Sequence, residues 1–88
     1  MGHIVQSYNL VEVGLMRMRI RDLREDNDLT QQKVAEHLRC DRSLYAKYER
    51  GERDVPLHIM VKLALFYDTS LDYLAGLTNE KAPYERAR

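Results

Sequence analysis

The stretch Thr30–Gly51, TQQKVAEHLRCDRSLYAKYERG, decides the fold. It reads as two short helices joined by a tight turn. Thr30 is placed to cap the first helix, whose leading backbone N–H groups have no partners within the helix. Val34, Ala35 and Leu38 form one apolar stripe at helical spacing. The stripe stops at Leu38, Arg39-Cys40 makes the turn, and Asp41 is the next cap candidate. Leu44, Tyr45 and Tyr48 give the second helix its apolar side, and Gly51 suits the left-handed residue that follows a last turn. Two helices of this size with so short a turn fit a helix-turn-helix unit. The other side of the second helix carries Arg42, Ser43, Ala46 and Lys47, a short, polar and partly basic set of the kind that can enter a major groove.

Working outward towards the N-terminus, Leu29 precedes the cap and is placed to staple onto Val34. A helix is predicted over residues 16–26, with Met16, Ile20 and Leu23 inward and Arg24 beside them. Arg17, Arg19 and Arg21 are expected to face water or DNA in different directions. Asn27-Asp28 is a fitting stop, because both residue types tolerate unusual turn dihedrals. Residues 1–15 read as an arm, either flexible or associated with a dimer; Ile4-Val5 and Leu10–Val13 have strand propensity but nothing within the chain to pair with.

Beyond Gly51, Glu52-Arg53-Asp54 is a polar loop, and Pro56 stands where a missing N–H costs a helix nothing. A helix is predicted over 57–67, with Leu57, Met60, Val61, Ala64 and Tyr67 inward and Leu63 beside them. Ile59 and Leu65 extend the apolar arc past what a small domain buries, so they are candidates for a subunit contact. Ser70 caps a short helix over 71–75 that ends at Gly76. Residues 78–88 form a tail, and Leu77 and Tyr84 add apolar groups to the candidate dimer surface.

Length and composition set the bounds. Eighty-eight residues, 44% hydrophobic and 32% charged, allow one domain spanning residues 16–77 with a single small core. No apolar run reaches membrane-spanning length and no signal-peptide pattern opens the chain, so a cytoplasmic location is expected. One cysteine excludes an intrachain disulfide framework. The 14 basic and 14 acidic residues cancel, which counts against nucleic acid on composition alone. Distribution counts the other way: residues 39–53 hold Arg39, Arg42, Lys47, Arg50 and Arg53 against Asp41, Glu49 and Glu52. His3, His37, His58 and Cys40 have no metal-ligand spacing, and neither a phosphate-cradling glycine loop nor a paired acid and base is present; no enzyme activity, cofactor or metal is expected.

The segments IRDLRE, LTQQKVAEHL, DRSLYAKYERG, VPLHIMVKLALFY and SLDYLAGL, in this order over Met18–Leu77, resemble the Cro/CI-type, XRE-like helix-turn-helix regulators. The resemblance implies an all-α, compact five-helix lambda-repressor-like domain, and a homodimeric repressor on a palindromic duplex-DNA operator. It implies that Gln31 anchors a phosphate, that Arg42, Ser43 and Lys47 reach base edges with Ala46 nearby, and that Arg24 pairs with Glu49. Arg42 is the strongest base reader, since its guanidinium matches guanine O6 and N7. Thr30, Arg50 and Arg53 are assigned to phosphates, the alternative being a plain solvated face. Ile59, Leu65, Leu77 and Tyr84 are assigned to the dimer interface. The chain departs from the family pattern at Arg39, where glycine is frequent, at Cys40, at Asp41 and at Leu65. The alternative function on this fold is a protein-interaction module such as an antitoxin or a phage-encoded inhibitor.

Overall fold

The computed structural model describes residues 18–87. The expectations for residues 1–17, Met16 and Arg17 included, lie outside it. Five helices follow in order among the described residues: α1 (Ile20–Asp26), α2 (Gln31–Leu38), α3 (Arg42–Arg50), α4 (Leu57–Phe66) and α5 (Leu71–Leu74). The architecture is all-α, consistent with the lambda-repressor-like domain. One core gathers Ile20 and Leu23 from α1, Val34, Ala35 and Leu38 from α2, and Tyr45 and Tyr48 from α3. Ile59, Leu63, Ala64 and Tyr67 join it from α4 and its end, and Leu74 from α5. Leu29 packs half-buried against it, as a residue preceding the cap should.

All five helices end in the same way. At Asp28, Arg39, Gly51, Asp68 and Gly76 the backbone turns left-handed. In each case the following N–H reaches back to the carbonyl five residues earlier: Leu29 to Arg24, Cys40 to Ala35, Glu52 to Lys47, Thr69 to Ala64 and Leu77 to Asp72, at 2.9–3.0 Å. This is the Schellman ending, which satisfies carbonyls that a helix terminus would otherwise leave without partners. The N-termini are less uniform. Thr30 Oγ1 accepts from the Lys33 N–H at 3.1 Å, and Ser70 Oγ accepts from the Tyr73 N–H at 3.0 Å. Asp41 takes the extended cap conformation (φ −68°, ψ 146°), but its carboxylate makes no capping bond, so the side-chain cap expected there is absent.

Arg39 occupies the left-handed position with φ 59° and ψ 46°. A β-carbon there costs about 1–2 kcal/mol, partly offset by the extra unfolded-state entropy that glycine brings, about 0.5–1 kcal/mol. Arg39 is exposed. Arg39→Gly should therefore raise the melting temperature by a few degrees, read by thermal circular dichroism; a lower melting temperature would show that the arginine side chain contributes more than the strain removes.

Four expectations need correction. First, α1 begins at Ile20, so Met18 and Arg19 precede it. Second, Arg19 does not face water or DNA. Its guanidinium lies 4.2 Å from the Tyr73 ring centroid and donates to the carbonyls of Tyr73 and Thr78 and to Asn79 Oδ1. Together with the Arg19 N–H bond to the Leu74 carbonyl at 2.9 Å, this clasps the start of α1 to α5. Third, Met60, Ala64 and Tyr67 pack inward as expected, but Leu57 and Val61 do not and Ile59 takes their place. Ile59 and Leu63 are buried, whereas Leu57 (71% exposed), Val61 (40%) and Leu65 (58%) line the outer side at a spacing of four. Ile59, at 7% exposure, belongs to the core and is unavailable to a partner. Fourth, α4 ends at Phe66 and α5 at Leu74, each one residue short of expectation.

Candidate nucleic-acid interface

The Schellman turn at Arg39 brings the N-terminus of α3 back beside the N-terminus of α2, and the two helices pack on each other through their apolar sides. Arg42, Ser43 and Lys47 are exposed on α3. Ala46 is 6% exposed, so its methyl has little surface to offer a base edge. Thr30 is exposed at the cap of α2, and Gln31 is half-buried behind it.

A chain of charge-assisted hydrogen bonds runs from α1 to the tip of this surface. Arg24 Nε and Nη2 donate to Glu49 Oε2 and Oε1 at 2.6 and 3.1 Å. Arg24 Nη1 donates to the Leu29 carbonyl at 2.9 Å. Gln31 Nε2 donates to the same Glu49 Oε1 at 3.1 Å, and Gln31 Oε1 accepts from Arg42 Nη1 at 3.1 Å. The pair at its root is shielded: the side chains of Arg24 and Glu49 are 12% and 3% exposed. Burial works against the charged form of Glu49, but the bonds from Arg24 and Gln31 outweigh it and hold the carboxyl below its ordinary range. The bond to Glu49 raises Arg24 in turn. Tyr45 Oη approaches the carboxylate as well, although its geometry falls short of a hydrogen bond. Burial first, and then the Glu49 charge, push the Tyr45 phenol up; the same two causes push Tyr67 up to about 12.

The bidentate Arg24–Glu49 pair thus ties α1 to α3, and Gln31 continues it to the exposed Arg42 at the start of α3. Sequence pattern and the family resemblance located the end residues. The two bonds of Gln31 were missed; the signal was the eleven-residue interval from Gln31 to Arg42, which sets one helix start beside the next only once the turn is known. Arg50 is paired within the chain. Its Nε and Nη2 donate to both carboxylate oxygens of Glu52, at 2.8 and 3.1 Å, so the side chain assigned to a phosphate is already engaged. Arg53 is exposed in the loop that follows.

Among the described residues no group of three or more His, Cys, Asp or Glu side chains is placed to hold a metal ion, and no helix is long and apolar enough to cross a membrane. Cys40 is a half-buried free thiol in the turn, raised by burial and by the neighbouring Asp41.

Comparison with known proteins supports the helix-turn-helix fold. The helix-turn-helix family model matches residues 20–74. The HTH-type transcriptional regulator YobD of Bacillus subtilis (strain 168), itself uncharacterized, is 40% identical over 65 residues, covering 74% of this chain and 58% of the relative. The cryptic phage CTXphi transcriptional repressor RstR of Vibrio cholerae is 41% identical over 58 residues, covering 66% of this chain and 52% of the relative. The HTH-type transcriptional regulator ImmR of Bacillus subtilis (strain 168) is 34% identical over 58 residues, covering 66% and 46%. The chain spans about half the length of the curated relatives it matches. No solved structure matches it.

Proposed function

This chain belongs to the XRE-like helix-turn-helix family of transcriptional regulators, and from that premise we propose that it represses transcription by occupying a palindromic operator as a homodimer. The observation that carries the proposal is the bonded path from Arg24 through Glu49 and Gln31 to Arg42. It tethers the exposed Arg42 guanidinium, a group able to read guanine bidentately, at the start of α3, so part of its ordering cost is met before DNA arrives. Ser43 and Lys47 extend the reading surface, and Thr30, Arg53 and the second N–H of the Gln31 amide contact phosphates. Occupancy of a promoter is sufficient for repression, so no catalytic group is required. A relative whose name describes it as a transcriptional repressor supports the sign of the regulation. Chromosomal or phage DNA as the target implies a cytoplasmic location.

A single α3 covers only a few base pairs, so two copies related by a two-fold axis supply the discrimination a promoter needs. The face proposed for that contact is the outer side of α4 with Leu77. Val61, Leu65, Leu71 and Tyr84 line an open cleft of about 330 Å³ between α4, α5 and the tail, wide enough to receive an apolar side chain from a partner. Tyr84 Oη is anchored to Asp72 Oδ2 at 2.8 Å, which fixes that side of the cleft.

The direct test is a mobility-shift assay on promoter fragments with competitor DNA. Binding that resists competitor and falls with added salt supports the proposal; salt-insensitive or absent binding on every fragment counts against it. Analytical ultracentrifugation with and without the bound duplex then tests the pairing. Leu65→Asp should weaken the dimer at least tenfold, about 1.4 kcal/mol, while leaving the helical spectrum intact, because Leu65 is 58% exposed in the single chain. An undiminished dimer would move the interface elsewhere.

A further inference from the structure

Glu52 stands immediately after the left-handed Gly51, and its N–H is bonded to the Lys47 carbonyl at 2.9 Å. The helix ending therefore fixes where its side chain starts. From there the carboxylate grips Arg50 through both oxygens, at 2.8 and 3.1 Å, and lies close enough to Lys47 to be stabilised by that charge as well. Arg50 and Glu52 are each about half exposed, at 53% and 54%. Arg50 Nε and Nη2 form the edge of the guanidinium that a phosphate would use for a bidentate contact. Glu52 thus occupies the phosphate-binding edge of one cation and sits beside a second, Lys47, on the surface proposed to meet DNA.

We propose that Glu52 is an intramolecular phosphate mimic that limits the sequence-independent DNA affinity of this domain. The proposal rests on the DNA-binding reading above. Physically, the carboxylate is a covalently attached competitor for Arg50, present at a high effective concentration whatever the DNA concentration. Arg50 and Glu52 together carry no net charge, so they neutralise no phosphate and release no counterion. The domain then relies for a larger share of its binding on base edges read from Arg42, Ser43 and Lys47. The charge balance of the whole chain, 14 basic against 14 acidic residues, has the same consequence on a larger scale.

The test uses the full chain and a random-sequence duplex of fixed length, with affinity measured by fluorescence anisotropy across a series of salt concentrations. Glu52→Gln removes the charge and keeps the shape, and it touches no buried group. It should tighten binding by about three- to tenfold at low salt and steepen the slope of log affinity against log salt by about 0.9 per protomer, the increment for one more neutralised phosphate. The double variant Arg50→Ala/Glu52→Gln should return the slope to the wild-type value, because it too is neutral at that site. If Glu52→Gln leaves both affinity and slope unchanged while the wild type binds, Arg50 is not withheld from phosphate and the proposal is overturned. If neither the wild type nor Glu52→Gln binds the duplex at low salt, the DNA-binding reading fails and takes the proposal with it. A steeper slope that persists in the double variant would also overturn it, by assigning the gain to Lys47 rather than to Arg50.

Discussion

Glu49→Ala is expected to destabilise the domain by about 3–5 kcal/mol, the cost of leaving one member of a buried ion pair without its partner. Arg24 would keep the Leu29 carbonyl and a 3.9 Å approach to the half-exposed Glu25 carboxylate, while its Nε, in a side chain only 12% exposed, would lose its partner. A domain of this size holds a small margin of stability, so the variant should be substantially unfolded at physiological temperature. Urea denaturation followed by circular dichroism measures the loss. Replacing both partners by apolar residues of similar size, Arg24→Met/Glu49→Leu, should recover much of it, because no charge is then buried. The recovered protein would still lack the carboxylate that holds Gln31, so its stability and its DNA affinity should separate.

The same pair predicts a pH dependence. The folded-state pKa of Glu49 is depressed, so its contribution is complete above the ordinary carboxylate pKa of about 4.3. It is lost as pH falls through the lower, folded value, where the unfolded chain binds the proton more readily than the folded one. The stability difference between wild type and Glu49→Gln should therefore be full at pH 7 and shrink in the acid range below about pH 4. A difference that stayed constant down to acid unfolding would assign the pair's role to shape and packing instead of charge.

Arg42→Ala is expected to cost about 1–3 kcal/mol on the preferred duplex and to flatten the preference at one base pair. On random duplex the loss should be small. Equal losses on preferred and random DNA would make Arg42 a backbone contact. Gln31→Ala is expected to weaken binding on all sequences, as removal of a phosphate anchor does. The bond from Arg42 Nη1 to Gln31 Oε1 adds a second effect: the same substitution should also soften the base preference set by Arg42, since the guanidinium loses its tether. Competition binding with duplexes altered at single base pairs separates the two contributions.

How much of this was legible in the sequence depended on whether polar residues broke the apolar pattern. In α2 and α3 they do, so the spacing directs Val34, Ala35, Leu38, Tyr45 and Tyr48 inward, and all five are buried. In α4 only His58 and Lys62 interrupt the apolar run, and the pattern could not fix the phase. In the fold Ile59 and Leu63 point inward and Leu57 and Val61 outward. Thr30, Ser70, Gly51 and Gly76 act through local backbone chemistry and were readable. Arg19 was not, because its partners lie more than fifty residues away at Tyr73, Thr78 and Asn79. Within the candidate interface, residue types were readable and engagement was not. Arg50 and Glu52 sit two apart across a helix end, a spacing that helical rules do not treat as a pair, yet the left-handed Gly51 brings them together.

Two copies of α3, each with Arg42 held by Gln31, are proposed to read an inverted repeat. Selection of bound duplexes from a random-sequence pool, followed by sequencing, tests it most directly. The expected result is enrichment of an inverted repeat whose half-site centres lie about 34 Å apart or a multiple of that distance. Repeating the selection with Arg42→Ala should lose the preference at one defined base pair of each half-site. A pool that shows no enrichment under conditions where the protein binds, or that enriches the same repeat with Arg42→Ala, would contradict it.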